Sequence, residues 1–491
     1  MAVLFSTSNN NSYLYNLKLK EFYLLHPLMV LLYQYMENNE IVGLKRIREN
    51  GVEIDRIYYN PEDVLFYETK INNFKKNYKN RIQKNVTFNG RFNKNLVDNA
   101  IANTQQIVFE VTESCNLKCE YCGYGDYYIK DEKRNNKKLD ETAAISFLKY
   151  IIKRLNSTQN GSINDDLLVG FYGGEPLINF KFIKEIVSFC EQQELLDKKI
   201  SYQITTNGTL LNRYIEFLVQ HNFKIAISID GTRLQNKFRI FKNGKESFDI
   251  VYNNIKILQK KYPKYFREKV KFQSVLNINT DLKKMYEFFE EFGKSDQVST
   301  LDISDHYVSK EKKEQLANIK YKSNSKKTNF ELNLGEVSIF SLQYFKNAFS
   351  HYYDLLNDFE NIDYLPSATC IPFEKKVFIT AEGKILPCER ISYNYELGRI
   401  NEEIIYLDPS HIANLYNEMY DNLERKICNF CAIRENCTKC MFQFDYSKKS
   451  KLCDDFVPKE KFSKYLSKYL TAFENNPGWY QQVVNEIKID E

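Results

Sequence analysis

Between residues 100 and 305, short apolar runs and helix-like runs alternate six times, and few folds are open to a chain with that order. The short runs are Gln106 to Val111, Leu167 to Tyr172, Ile200 to Thr206, Phe223 to Ile229, Val270 to Leu276 and Val298 to Ile303, each rich in β-branched or aromatic residues. Between them lie longer stretches with apolar residues at helical spacing. The clearest starts at Asp140, a helix N-cap residue, and puts Ala144, Phe147, Leu148, Ile151, Ile152 and Leu155 on one face. Repeated strand and helix units predict an α/β fold with a parallel sheet, and six of them predict an open or partial barrel. Loops after the strands' C-terminal ends are then where chemistry is expected.

The cysteines are the second constraint. There are 11 among 491 residues, an odd number, and ten fall into two groups: Cys115, Cys119 and Cys122, then Cys370, Cys388, Cys428, Cys431, Cys437, Cys440 and Cys453. The N-terminus lacks a signal-peptide pattern, since its best apolar run, Leu24 to Tyr33, is broken by His26 and Pro27. Nothing approaches the roughly 18 apolar residues of a membrane span. The expected location is therefore the reducing cytoplasm, where disulfides are rare and clustered cysteines bind metal. Cys190 follows Ile183, Ile186 and Val187 at helical spacing and reads as a core residue. His26, His221, His306, His351 and His411 are scattered, none at ligand spacing to another. A net charge of +5 is too dilute over this length to mark a nucleic-acid binder, and a hydrophobic share of 43% excludes a disordered chain.

Cys115, Cys119 and Cys122 form a CxxxCxxC directly after the first strand. Three thiolates from one tight loop can hold three irons of a 4Fe-4S cluster and leave the fourth iron for a substrate or cofactor. Zinc is the alternative, but three cysteines with no nearby histidine make a poor closed tetrahedral site. With Tyr121 as the aromatic before the last cysteine, the motif resembles the CxxxCx(aromatic)C of the radical S-adenosylmethionine (SAM) enzymes. The resemblance implies that SAM binds the open iron and is reductively cleaved to a 5'-deoxyadenosyl radical, with an electron donor such as flavodoxin or ferredoxin.

Further elements fit the same family. Gly173-Gly174-Glu175-Pro176 after the second strand is similar to its GGEP, although alone this would read as a turn. Thr206 and Asn207 belong to a TNG element after the third strand, and Ser228 and Asp230 follow the fourth. Arg239 lies where the family has an arginine reaching the SAM carboxylate. The family's His-Asp before that arginine is replaced by Gln235-Asn236, and the spacing is one residue shorter.

Cys370 and Cys388 bracket a hairpin pattern, Val377 to Thr380 and Lys384 to Leu386 around Gly383. Cys428-x2-Cys431-x5-Cys437-x2-Cys440 by itself fits a zinc knuckle. With the upstream motif, the whole resembles the SPASM domain, a cysteine-rich extension with two auxiliary 4Fe-4S clusters, three clusters in all. The resemblance assigns Cys370, Cys388 and Cys440 to one and Cys428, Cys431, Cys437 and Cys453 to the other. The first set is one ligand short.

The expected architecture is a partial (β/α)6 radical SAM barrel over 99–305 with a C-terminal cysteine-rich SPASM domain over 366–457 and a small α+β N-terminal module over 1–98. That module, read from strands Val3 to Ser6 and Ser12 to Leu17 and helical stretches Pro27 to Glu37 and Gly43 to Arg48, fits a winged-helix-like leader-peptide binder. Residues 306–365 read as a linker and a bridging helix from Glu336 to about Glu360. The linker's basic run (Lys310, Lys312, Lys313, Lys320, Lys322, Lys326, Lys327) is a solvated stretch or a contact surface for an acidic peptide. Residues 458–491 read as a helical tail in which Trp479 packs against a helix or domain surface. The resemblance implies a maturase that modifies a ribosomally made precursor peptide by a thioether, a carbon crosslink or epimerisation. The alternatives are a sulfatase-maturase-like enzyme that makes formylglycine, and a non-catalytic zinc-binding or peptide-binding scaffold.

Overall fold

The first segment is a three-stranded antiparallel sheet, β1 (Ala2–Ser6), β2 (Ser12–Asn16) and β3 (Glu21–Leu24), paired in that order. Successive side chains of a strand face opposite sides, and here both sides are apolar. Leu14, with Leu4 and Tyr23, faces α1 (Pro27–Glu37), α2 (Ile41–Asn50) and α3 (Pro61–Ile82). A short hairpin, β4 (Val52–Ile54) and β5 (Ile57–Tyr59), joins the last two helices. The strand β3 was not expected from sequence; four residues leading into an apolar helix leave little period-2 signal to read. The described residues are 2–16, 21–82, 92–125, 134–161, 166–195, 198–303, 308, 310–321, 369–433, 437, 439–444, 453, 456–475 and 477–478 of this computed structural model. The helix expected over 336–360, Lys322, Lys326, Lys327, His306, His351 and Trp479 lie outside them.

After α4 (Lys94–Ala102) come the six parallel strands β6 (Gln106–Thr112), β7 (Asp166–Gly173), β8 (Lys199–Thr206), β9 (Lys224–Ser228), β10 (Val270–Leu276) and β11 (Val298–Asp302), side by side in chain order. The crossovers carry α5 (Glu141–Leu155), α6 (Phe180–Cys190), α7 (Leu211–Gln220), α8 (Phe248–Lys261) with α9 (Pro263–Lys269), and α10 (Leu282–Glu290). This is the six-stranded parallel sheet, an open or partial barrel, that the alternation predicted. Asp140 caps α5 by accepting from Ala143 N at 3.0 Å, so the apolar face that follows enters the core at a fixed register. Phe109, Phe147, Phe171 and Phe182 are fully buried between sheet and helices, each contributing about 1.5–3 kcal/mol. Cys190 is buried among them, as expected of a core residue.

Part of the stretch expected to be a linker is ordered as α11 (Lys310–Ala317). Its Leu316 is fully buried with Ile303, Val308 and Ile319 against Tyr121, which its one apolar position among charged neighbours concealed. Farther on, β12 (Val377–Ile379) pairs in parallel with β6, Val377 opposite Ile107. Strands β13 (Lys384–Leu386), β14 (Gly398–Asn401) and β15 (Ile404–Leu407) add antiparallel to it. One sheet of ten strands therefore runs from β11 through β6 to β15, and C-terminal cysteines are carried on an extension of the barrel's own sheet. Helix α12 (Pro409–Lys426), capped by Asp408, packs on α4, and α13 (Lys459–Asn475) covers the free face of the N-terminal sheet, where Phe462 and Leu466 meet Val3, Phe5 and Tyr15. Ser467 Oγ donates to Ser6 O at 2.6 Å and Tyr13 Oη to Glu474 at 2.7 Å. No described helix is long and apolar enough to cross a membrane.

Candidate active site

The loop after β6 gathers Cys115, Cys119 and Cys122, near enough that their charges act on one another. Cys115 Sγ accepts from Leu117 N at 3.4 Å and from Asn207 Nδ2 at 3.7 Å. Asn207 also donates to Asn116 Oδ1 at 2.9 Å, and Asn116 donates to Thr209 Oγ1 at 2.8 Å, so the TNG loop after β8 grips the cysteine loop at two points. Burial pushes the Cys115 thiol up to about 11 and the Cys119 thiol up to about 12. Unligated, these two thiols stay protonated, and any metal that binds them must displace those protons. Among the described residues no three His, Cys, Asp or Glu side chains are grouped as a site for a metal ion. Thiols spaced along a loop suit a polynuclear iron group, in which each iron takes one cysteine.

The glycines of GGEP answer to close approach. Gly173 has φ +131, a conformation closed to most other residues, and a Cβ on Gly174 would stand 2.2 Å from Ser114 O. The turn after β7 thus lies directly against the cysteine loop. Glu175 points inward: its carboxylate accepts from Leu177 N at 3.1 Å, Thr206 Oγ1 at 2.8 Å and Asn207 N at 2.7 Å. A carboxylate offers about four lone-pair directions, and three are taken within the protein. Burial pushes Glu175 up to about 7 despite these donors.

Tyr121, Asp230 and Arg239 form a buried group. Tyr121 Oη donates to Asp230 Oδ2, while Arg239 Nε and Nη2 lie 3.0 and 2.9 Å from Asp230 Oδ1, which also accepts from Val275 N at 2.9 Å. The Arg239 guanidinium sits 5.5 Å from the Tyr121 ring centroid and acts on the Cys119 thiol. Gln235 and Asn236, which depart from the family pattern, serve this corner: Asn236 Oδ1 accepts from Asp230 N at 3.1 Å and Gln235 Oε1 accepts from Thr232 N at 2.8 Å. Asn236 Nδ2 is buried without a partner among the described residues. Ser228 ends β9 half-buried beside this group.

Sequence reasoning missed Glu110, Arg134 and Tyr393. The Glu110 carboxylate, fully buried on β6, pairs with Arg134, accepts from Tyr393 Oη at 2.9 Å, and takes Ala381 N of the hairpin tip between β12 and β13 at 3.0 Å. It ties the cysteine loop to the C-terminal hairpin. A glutamate inside the apolar run Gln106 to Val111 was the available signal.

Three of the seven later cysteines also meet. Cys370, Cys388 and Cys440 come from three separate segments, and all three act on the hydroxyl of Tyr416 in α12. Thr369 Oγ1 accepts from Met441 N at 2.8 Å, which joins the neighbours of Cys370 and Cys440. Cys370 is exposed, Cys388 and Cys440 half-buried, and Tyr416 fully buried. Cys428 and Cys431 share one 3-10 turn after α12, with Cys431 N to Cys428 O at 3.1 Å, while Cys437 is half-buried and Cys453 buried.

Residues 109–291 match the radical SAM superfamily. Over 191 residues the chain is 30% identical to a cysteine-type anaerobic sulfatase-maturating enzyme of Clostridium novyi (strain NT), covering 38% of this chain and 47% of that one. It is 27% identical over 177 residues to the radical SAM cyclopropyl synthase TigE of Paramaledivibacter caminithermalis, covering 35% of each. The chain thus spans about half the length of the first of these relatives and about a third of the second. Among solved structures, native anSMEcpe with bound AdoMet and a Cp18Cys peptide superposes with a TM-score of 0.51 over 78% of this chain and 99% of that one, at 20% identity, a likeness of fold.

Proposed function

On the premise that the chain belongs, through residues 109–291, to the radical SAM superfamily of enzymes, we propose that it is a peptide maturase of the SPASM kind. The observation that carries this is the pairing of two thiol groups on one sheet, one on the barrel loop and one on the sheet's extension. When bound, the iron-sulfur group of the barrel and SAM supply a 5'-deoxyadenosyl radical that removes a hydrogen atom from a substrate C–H bond.

The chain's own residues supply placement. Cys115, Cys119 and Cys122 each hold one iron, with Leu117 N and Asn207 Nδ2 donating to the Cys115 sulfur. The backbone around Gly173 and Gly174 would offer acceptors to the amino group of SAM, and one lone pair of Glu175 would remain for it. Arg239, oriented by Asp230 and Tyr121, would pair with the carboxylate of SAM, and Asn236 Nδ2, without a partner among the described residues, would be a further donor to the same ligand. Thr206 and Ser228 complete the strand ends around it. Cys370, Cys388 and Cys440 hold one auxiliary cluster, and Cys428, Cys431, Cys437 and Cys453 the other. A cytoplasmic flavodoxin or ferredoxin is the electron source in this reading.

The substrate is a ribosomally made precursor peptide that receives a thioether, a carbon crosslink or an inverted centre. The N-terminal module is its docking site. Strand β3 pairs only with β2 among the described residues, and its Leu24 is exposed, as are Leu65 and Phe66 on α3. An extended leader peptide adds to such an edge as a further strand.

Anaerobically reconstituted protein is expected to release 5'-deoxyadenosine from SAM on reduction, and co-expression with a short neighbouring reading frame to change that peptide's mass by two hydrogens or, for an epimer, its chirality alone. Protein that binds zinc, carries no sulfide and leaves SAM intact would end this reading. The resemblance to the Clostridium enzyme favours a second one, conversion of a cysteine or serine of a partner protein to formylglycine. Incubation with a sulfatase-derived cysteine peptide separates the two.

A further inference from the structure

Tyr416 is a fully buried side chain whose hydroxyl has no hydrogen-bond partner among the described residues, and the thiols of Cys440, Cys388 and Cys370 are near enough to act on it. Its ring cannot swing away. Phe92 packs edge-on against it with centroids 5.0 Å apart and Phe442 does so from another side at 5.2 Å. Phe442 is two residues from Cys440, and Phe92 is held in place by Asn417, whose side chain bonds its backbone N and O at 2.8 and 2.9 Å. Helix, aromatic clamp and cysteine segments thus fix one hydroxyl at the buried side of a group whose other side, at Cys370, is open.

A buried hydroxyl left unpaired costs about 1–3 kcal/mol, and proteins seldom leave one so. A neutral thiol is a weak acceptor. A thiolate or a bridging sulfide carries negative charge and accepts much more strongly. Among the described residues nothing accepts from Tyr416, and an electron-rich sulfur held by the neighbouring cysteines would complete the chemistry around it.

We propose that Tyr416 donates its hydroxyl hydrogen bond to a sulfur of the iron-sulfur group held by Cys370, Cys388 and Cys440, and so sets that group's reduction potential. This rests on the reading of those cysteines as cluster ligands given above. Hydrogen bonds to cluster sulfurs stabilise the reduced, more negative form and raise its potential. Tyr416 is a positioning residue in this role: it tunes the group without touching the peptide.

The test uses the full, reconstituted chain and Tyr416→Phe. The signal of this group is identified by its loss in Cys440→Ala. In Tyr416→Phe the iron content is expected to stay constant while the reduction equilibrium of that signal alone falls about tenfold, ~59 mV for one electron. Electron-nuclear resonance after exchange into heavy water should lose one exchangeable deuteron relative to the unmutated chain. Labelling the unmutated chain with ring-deuterated tyrosine leaves folding untouched, and deuterium coupling to the same signal is expected. An unmoved potential, an absent ring coupling, or loss of iron in Tyr416→Phe, which would make the tyrosine a ligand, overturns the inference. If Cys440→Ala removes no iron-sulfur signal at all, the cluster reading itself falls and this inference with it.

Discussion

The two thiol groups are built in opposite ways. Cys115, Cys119 and Cys122 come from eight consecutive residues on one loop, and the neighbouring strand ends close over them through Gly174, Asn207 and Asn116. Cys370, Cys388 and Cys440 come from segments up to seventy residues apart, and meet only because β12 pairs with β6 and α12 packs against the turn that follows Cys440. The first group is local and depends on the barrel. The second is tertiary and depends on the sheet's extension being in place, a dependence that runs through Glu110, whose carboxylate holds the hairpin tip against β6.

The largest effects should separate the groups. Cys119→Ala is expected to abolish 5'-deoxyadenosine formation and to lower the iron content by about a third if three clusters form. Cys440→Ala should lower iron by a similar share yet leave SAM cleavage standing while the modified peptide disappears. Iron analysis and chromatography of both products check the two together. Should Cys440→Ala also stop SAM cleavage, the division of labour between barrel and extension fails.

This contrast also explains what could be read from the sequence. Six strands were legible because each is a short apolar run bounded by turns, and the CxxxCxxC was legible because its geometry is local. Their boundaries fell within one or two residues. The hairpin around Gly383 was legible for the same reason, but its parallel pairing with β6 was not, since nothing within three residues of Val377 records a partner 270 residues away. Likewise Tyr416 reads as one more apolar position on α12, and Arg134 as one basic residue in a basic loop, until folding brings partners to them. The basic run after residue 306 read as a solvated stretch or an acidic-peptide contact, not as a packed helix, because charge outnumbers its one buried leucine, Leu316.

A smaller effect tests how far the first group depends on its surroundings. Asp230 is fully buried and is the charge partner of Arg239, itself buried. Asp230→Asn leaves that guanidinium without a counter-charge, a change that costs about 3–5 kcal/mol. Urea unfolding should show the midpoint lowered, and Tyr121, which loses its acceptor, should no longer hold the cysteine loop for full iron loading. The Cys370, Cys388 and Cys440 group should load as before. Equal loss from both groups would show that the barrel corner supports the extension as well.

The smallest effect is a slope with pH. Burial places the folded pKa of Glu175 at about 7, above its ordinary 4.5, with three protein donors only partly offsetting the desolvation. Between those values the folded chain binds more protons than the unfolded one, so stability is full below about pH 4.5 and declines as pH rises toward 7. At ~1.4 kcal/mol per unit the loss reaches ~3 kcal/mol at most. Glu110, raised in the same direction by burial, adds to the slope. Glu175→Gln should flatten it in part, at a cost of about 1–3 kcal/mol at every pH, because an amide nitrogen would then face donors such as Asn207 N. Urea midpoints of the metal-free chain from pH 4.5 to 8 measure both. Since Glu175, among the described residues, bonds only the segments that follow or end β7 and β8, the same slope should persist in Cys440→Ala, and a slope that vanished there would mean the two thiol groups are coupled through the sheet after all.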